Sequence, residues 1–309
     1  MFSNGIENFG NKLNLGDGVV GSVLSAVGTA LPETMIPIIA IISNKPSSNG
    51  ISTGAILGAP FMLATLGFFV TGFSVVFFAL MNKRRAKLNV DKEIFSRDLC
   101  FFIISYICTI LFSLSRNKSI YYSGAIFLLL LYLIYIIRTL RHQGYKENNV
   151  PALMISKITK HDGLLFILLQ LALSLVGIVL ASEKFVDNIN TLSASLGISS
   201  FILSMIISPI VTELPEKFNS IMWIRSRKDN LALGNITGAM VFQSTIPIAF
   251  GLIATNWELS NTSLFIMVLT LISALIQYLY LDIKNTISSL MLSMSGILYC
   301  IFIYIVFIK

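Results

Sequence analysis

Apolar stretches alternate with short polar segments along the whole chain, and nine of them can be drawn as membrane spans. They run over about 18–43, 50–81, 98–114, 119–138, 163–182, 196–224, 231–255, 262–282 and 286–308. Most reach the ~20 apolar residues that a helix needs to cross a bilayer. The second and sixth exceed that length, which predicts tilted or interrupted helices. The third, beginning at Asp98, is the shortest. The pattern predicts an all-α polytopic membrane protein.

Composition agrees with the pattern. Hydrophobic residues make up 55% of the 309 positions and charged residues only 12%, against roughly 25% charged in a soluble globular chain. Mean hydropathy is +0.81. The first fifteen residues lack the apolar core of a cleavable signal peptide.

The net charge of +7 reads as topology rather than as nucleic-acid binding, because its lysines and arginines fall mostly on one side. With the N-terminus inside, sixteen lie in inner segments, among them Lys83, Arg84, Arg85, Lys87, Lys92 and Arg97, and five in outer ones. Lys217 falls inside a span. That bias is the positive-inside signature and supports nine spans with an inward N-terminus. The stretch Lys83 to Arg97 reads as a charged cytoplasmic loop facing anionic lipid.

Two apolar segments contain the same unusual pair. Thr29-Ala30-Leu31-Pro32-Glu33 and Thr212-Glu213-Leu214-Pro215-Glu216 both place a carboxylate beside a proline at membrane depth. Such a carboxylate costs about 2.5–3.5 kcal/mol at the helix centre, so it is rare and functional by default. Pro32 offers no N–H to the carbonyl of Gly28, and Pro215 none to that of Val211. Local unwinding there would also free the carbonyls of Thr29 and Thr212. Calcium takes six to eight oxygens, mainly from carboxylates and carbonyls. Glu33 and Glu216 together would neutralise one divalent ion, with Thr29 and Thr212 contributing mainly backbone oxygen.

By the same topology the first Pro-Glu span runs outward and the second inward, so the two copies are inverted, as in many secondary transporters. The organisation expected is a polar segment at 1–15, a first repeat of four spans at 16–140, a cytoplasmic linker at 141–162 and a second, inverted repeat of five spans at 163–309. Each Pro-Glu span is followed by a glycine pair four residues apart, Gly54 and Gly58 and then Gly234 and Gly238. That spacing lets helices approach closely.

Glu213 shares a helix face with Glu216 and lies four residues before Lys217, the favourable order for an ion pair. It reads either as Lys217's partner or as a third ligand or proton carrier. Gln243 is a neutral accessory ligand candidate, and Asn235 an accessory or interhelical contact. Cys100, Cys108 and Cys300 are scattered, and His142 and His161 fall in a polar loop, so no resident metal or cofactor is expected. There is no HExxH, GxSxG or phosphate-loop motif, so an enzyme is not expected.

These residues resemble the calcium:cation antiporter superfamily, which includes sodium/calcium and proton/calcium exchangers. Its two inverted repeats carry motifs like G-T-S-L-P-E and G-N-x-x-G-S-N-x-x-N. Gly28-Thr29-Ala30-Leu31-Pro32-Glu33 is similar to the first, with Ala30 for serine. Thr212 to Glu216 is similar to its second copy, with Glu213 for serine. The resemblance implies a ten-helix, five-plus-five fold in the plasma membrane, exchanging calcium as substrate for sodium or protons. The alternative is a calcium or divalent cation channel or uniporter.

This chain departs from the family at Ala59, Leu63, Ala239 and Gln243, which replace serine and asparagine or aspartate. Those polar residues help form sodium sites in sodium-coupled relatives, so the loss bears on sodium coupling more than on calcium. The first repeat also has one span fewer than the second. A first helix is expected either to be missing or to lie upstream of the given start. No oligomeric state follows from the sequence.

Overall fold

The structure, a computed structural model, describes residues 1–12, 25–45, 47–115, 117–141, 152–257 and 259–308. The described residues form helices and no strand. In chain order these are α1 (Phe2–Lys12), α2 (Ser25–Ser43), α3 (Ser48–Met62), a π-helical turn (Leu63–Gly67), α4 (Phe68–Leu80), α5 (Lys92–Leu114) and α6 (Lys118–Arg141). The short α7 (Ser156–Thr159) precedes α8 (Leu164–Leu196), α9 (Ser200–Arg225), α10 (Asp229–Gln243), α11 (Ile246–Ala254), α12 (Asn261–Lys284) and α13 (Ser289–Ile308).

Seven helical stretches among the described residues are long and apolar enough to cross a membrane: Ser48–Leu80, Lys92–Leu114, Lys118–Arg141, Leu164–Leu196, Asp229–Ala254, Asn261–Lys284 and Ser289–Phe307. Two more, Ala30–Ser43 and Ser200–Glu213, are apolar but shorter. They lie in the Pro-Glu helices α2 and α9.

Local chemistry sets the helix ends. Asp91 caps α5 by accepting from the backbone N–H of Glu93 and Ile94 at 3.0 and 3.3 Å. The helix therefore starts at Lys92, six residues before the expected span, so Lys92 to Arg97 are helical rather than loop. Ser199 caps α9 and Ser260 caps α12 in the same way. Gly197, at φ +64°, ends α8 in the left-handed conformation that glycine adopts without a Cβ penalty.

Three further boundaries differ from expectation. Within the polar segment at 1–15, residues 2–12 form α1, which packs on α8 through a hydrogen bond from Gln170 Nε2 to the Met1 carbonyl. The span expected over 163–182 continues as helix to Leu196, because its polar end is held by loop residues: Lys45 pairs with Asp187, and the Ser47 hydroxyl bonds Asn190. The expected break at the prolines is not present. Helix α2 runs through Pro32 and Pro37, and α9 through Pro209 and Pro215. The start of the first span at 18–24 and residues 142–151 of the linker, including His142, lie outside the described residues.

Burial is uneven, as expected where lipid rather than water covers the outer helices. The α10–α11 stretch is 83% buried and that of α8 only 11%. One large core joins α3, α4, α5, α6, α10 and α12 around Phe68, Phe102 and Tyr106. A smaller core joins α2, α3, α8 and α9 through Ile36, Ala55, Val186 and Leu203. The motif helices thus occupy the centre.

Candidate functional site

The four helices bearing the duplicated motifs, α2, α3, α9 and α10, form one cluster in which each touches the other three. The glycines of the first copy make this possible. A Cβ on Gly54 would collide with the Phe201 carbonyl oxygen, and one on Gly58 with that of Met205. Helix α3 therefore lies backbone to backbone against α9. The second pair does not show the close approach expected of it among the described residues: a Cβ on Gly234 would meet nothing within 4 Å, and one on Gly238 only the Tyr135 hydroxyl, at 3.6 Å.

Glu33 stands on α2 within this cluster and is 3% exposed. Thr212 is half-buried on α9, and its hydroxyl donates to the Ser208 carbonyl at 2.9 Å. Gln243 is buried at the end of α10, and its amide nitrogen has no hydrogen-bond partner among the described residues. Asn235 is half-buried on the same helix. Thr29 and Glu216 lie in α2 and α9, but their side chains fall outside those described. Because both helices are continuous, the carbonyls left without an intrahelical donor by Pro32, Pro37, Pro209 and Pro215 are those of Gly28, Glu33, Met205 and Val211. Among the described residues, no group of three His, Cys, Asp or Glu is gathered as a metal centre.

Both glycine-rich helices are interrupted at the same register. Leu63 and Gln243 each stand nine residues after the first glycine of their motif. At Leu63 the helix widens into the π-turn Leu63–Gly67, and after Gln243 it turns through Ser244 and Thr245 before α11. Hydroxyls donate to backbone oxygens beside both breaks. Ser273 donates to the Ala64 carbonyl at 2.5 Å, Thr65 to Phe61 at 2.6 Å, and Thr245 to Val241 at 2.7 Å. Such interruptions are concentrated at functional sites. The second and sixth spans were expected to be tilted or interrupted: the second is interrupted, whereas the sixth runs unbroken as α9, and the break within 231–255 was not expected; Pro60 and Pro247, three residues before one break and two after the other, are the signal that could have found both.

Glu213 and Lys217 form a buried ion pair, Nζ to Oε2 at 2.7 Å, with side chains 2% and 6% exposed. The Lys217 chain extends toward the π-turn: its Cε lies 3.8 Å, and Ile236 Cγ2 3.6 Å, from where a Cβ on Gly67 would stand. Thus Glu213, Lys217, the π-turn and α10 meet in one place.

Two charged groups went unrecognised in the sequence. Asp98, taken as the edge of a span, is buried and accepts from Thr237 Oγ1 at 2.7 Å and from Arg97 Nη2 at 3.0 Å. The signal was its place on one helix face with Phe95, Leu99 and Phe102 (steps of three and four), all of them buried. Arg84, taken as part of a solvated loop, is 7% exposed and grips Asp229 with both nitrogens, at 2.7 and 2.8 Å. No local signal marked it, since its partner is 145 residues away.

Comparison with known proteins agrees with this architecture. The chain is 23% identical over 278 residues to an uncharacterized membrane protein of Methanocaldococcus jannaschii, covering 89% of this chain and 82% of that one. Among solved structures, the fold is similar to the H+/Ca2+ exchanger CAX, with a TM-score of 0.78 at 18% identity, covering 97% of this chain and 76% of that one. It is also similar to the sodium-calcium exchanger NCX_Mj, with a TM-score of 0.63 at 22% identity, covering 98% and 91%. The family model described as sodium/calcium exchanger protein matches residues 1–141 and 166–308. Together with the duplicated motifs and their central cluster, that match makes the chain a member of the sodium/calcium exchanger protein family.

Proposed function

We propose that the protein is a secondary antiporter that exchanges calcium for a counter-ion, sodium or protons, across the plasma membrane by alternating access. In this reading it has nine spans and two inverted repeats, 16–140 and 163–309. The observation that carries it is Glu33, a buried carboxylate at the centre of the four-helix cluster. An ionisable side chain inside a bundle of membrane helices is functional by default.

Glu33 and Glu216 are the charged ligands, and their two charges match one divalent ion. Calcium binding draws Thr29 and Thr212 into the ligand set through backbone oxygens, which requires a local opening of α2 and α9 at their prolines. Gln243 adds a neutral oxygen, and Asn235 supports α10. Two inverted halves sharing one site suit alternating access.

Calcium-45 uptake into proteoliposomes, under separately imposed sodium and proton gradients, tests the reading. Uptake driven by one gradient and abolished by Glu33→Gln and by Glu216→Gln is expected. Transport retained in both variants would refute the ligand assignment. Uptake indifferent to both gradients would identify a channel or uniporter instead.

A further inference from the structure

A cavity of about 460 Å³ opens between the start of α5 and the ends of α6 and α12. The lysine and arginine count expects this end of the bundle to face the cytoplasm. Its size is that of a small-ligand pocket. The charged side chains lining it are Lys92, Glu93 and Arg97 of α5, Arg138 of α6 and Asp282 of α12, with Phe101 in the wall.

One of these charges is already matched. Arg97 Nε and Nη2 donate to Asp98 Oδ1 at 3.2 and 3.0 Å. The other two cations have only neutral neighbours. Lys92 Nζ donates to Asn285 Oδ1 at 3.0 Å, and the Arg138 guanidinium lies over the Phe101 ring, 5.8 Å from its centroid. Among the described residues, Lys92, Arg138, Glu93 and Asp282 enter no ion pair. Two cations and two carboxylates thus line one cavity without pairing.

Away from the cavity the same helix faces turn apolar. On α5 the exposed Ile104, Ile107 and Leu111 follow Cys100, itself a lining residue, at steps of four, three and four. On α6 the exposed Ile134, Leu130 and Phe127 precede Arg138 at steps of four, four and three. Such steps keep each set on one helix face. Phe127 meets Phe112 of α5 with ring centroids 6.0 Å apart, so α5 and α6 flank one seam along their length.

We infer that the cavity binds the headgroup of an aminophospholipid of the phosphatidylethanolamine type, whose acyl chains follow the apolar seam between α5 and α6. The phosphate sits at Arg138 and Lys92, since a guanidinium can meet two phosphate oxygens at once. The primary ammonium faces Glu93 and Asp282. A charge-balanced lining selects a lipid that brings both signs. Phosphatidylglycerol would leave both carboxylates without a cation, and phosphatidylcholine offers them no N–H.

The test uses the full chain, purified and delipidated in detergent, with dioleoyl-phosphatidylethanolamine, dioleoyl-phosphatidylglycerol or dioleoyl-phosphatidylcholine added at equal mole fraction. The thermal unfolding midpoint reads binding, because a ligand of the folded state stabilises it by mass action. Phosphatidylethanolamine should raise the wild-type midpoint by several degrees more than either other lipid. Arg138→Gln should lose that preference, whereas Arg141→Gln, outside the cavity lining, should keep it. The Glu93→Gln/Asp282→Asn double variant keeps only the cations and should prefer phosphatidylglycerol, a switch that a merely structural role would not produce.

A wild type that responds equally to the three lipids, or ranks another above phosphatidylethanolamine, overturns the inference. Preference for phosphatidylethanolamine retained in Arg138→Gln overturns it as well. If the variants do not fold, the wild-type ranking decides, with phosphatidylethanolamine first sustaining the inference. The measurement involves no transported ion, so its outcome is separate from that of the antiport reading.

Discussion

Arg84 and Asp229, 145 positions apart, meet in a bidentate, fully buried ion pair at 2.7 and 2.8 Å. Arg84 also donates to the carbonyls of Ile224, Lys87 and Arg85, and Asp229 accepts from the Asn89 backbone N–H at 2.9 Å. One arginine thus joins the loop after α4 to the end of α9 and the start of α10. The planar guanidinium suits this role because its donors form a fixed fork that an ammonium cannot imitate.

Removing either partner strands the other charge. Arg84→Ala and Asp229→Ala should each destabilise the protein by about 3–5 kcal/mol. The unfolding midpoint in detergent reads the loss. Arg84→Lys should recover only part of it, because the bidentate geometry cannot form.

The contact from Thr237 to Asp98 joins α10 to α5. Thr237→Val keeps the side-chain shape but removes the donor, and should cost about 1–3 kcal/mol of stability. Asp98→Asn leaves Arg97 without its buried anion and should cost more. Equal effects in thermal unfolding would contradict this ordering.

Glycine requirements should differ by site. Gly58→Ala drives a methyl group into the Met205 backbone and should cost about 1–3 kcal/mol, because a helix backbone cannot yield as a side chain can. Gly177 lies on the exposed face of α8 with nothing within 4 Å of its Cβ position. Gly177→Ala should therefore be neutral or stabilise by up to about 1 kcal/mol through helix propensity. Expression level and unfolding midpoint of the two variants provide the comparison.

Gln243 is proposed to lend a neutral oxygen to the cargo ion. Gln243→Leu should raise the calcium concentration needed for half-maximal uptake by roughly tenfold, the scale of one lost ligand contact. The maximal rate should change little. A selective loss of maximal rate would place Gln243 outside ion binding.

Most of the organisation was legible in the chain. Apolar run length showed a polytopic helical protein, and glycines four apart anticipated the close contact seen at Gly54 and Gly58. The Pro-Glu pairs pointed to the helices that now stand at the centre, and the order of Glu213 and Lys217 anticipated their ion pair. These are local properties, set by residues within a turn or two of one another, which is why periodicity and spacing express them.

What only the tertiary structure decided concerns residues whose environment comes from distant helices. The positive-inside count placed Arg84 in a loop, yet cannot tell a solvated arginine from one that meets Asp229. Asp98 reads as the edge of a span until Thr237 is brought against it. The prolines of α2 and α9 were expected to unwind them, but both helices run through. The helical breaks fall instead at Leu63–Gly67 and Ser244–Thr245, where Ser273, Thr65 and Thr245 donate to the carbonyls of Ala64, Phe61 and Val241. In each case the cost of burying a polar group is fixed by its chemistry, while the partner that offsets it is chosen by how the helices pack.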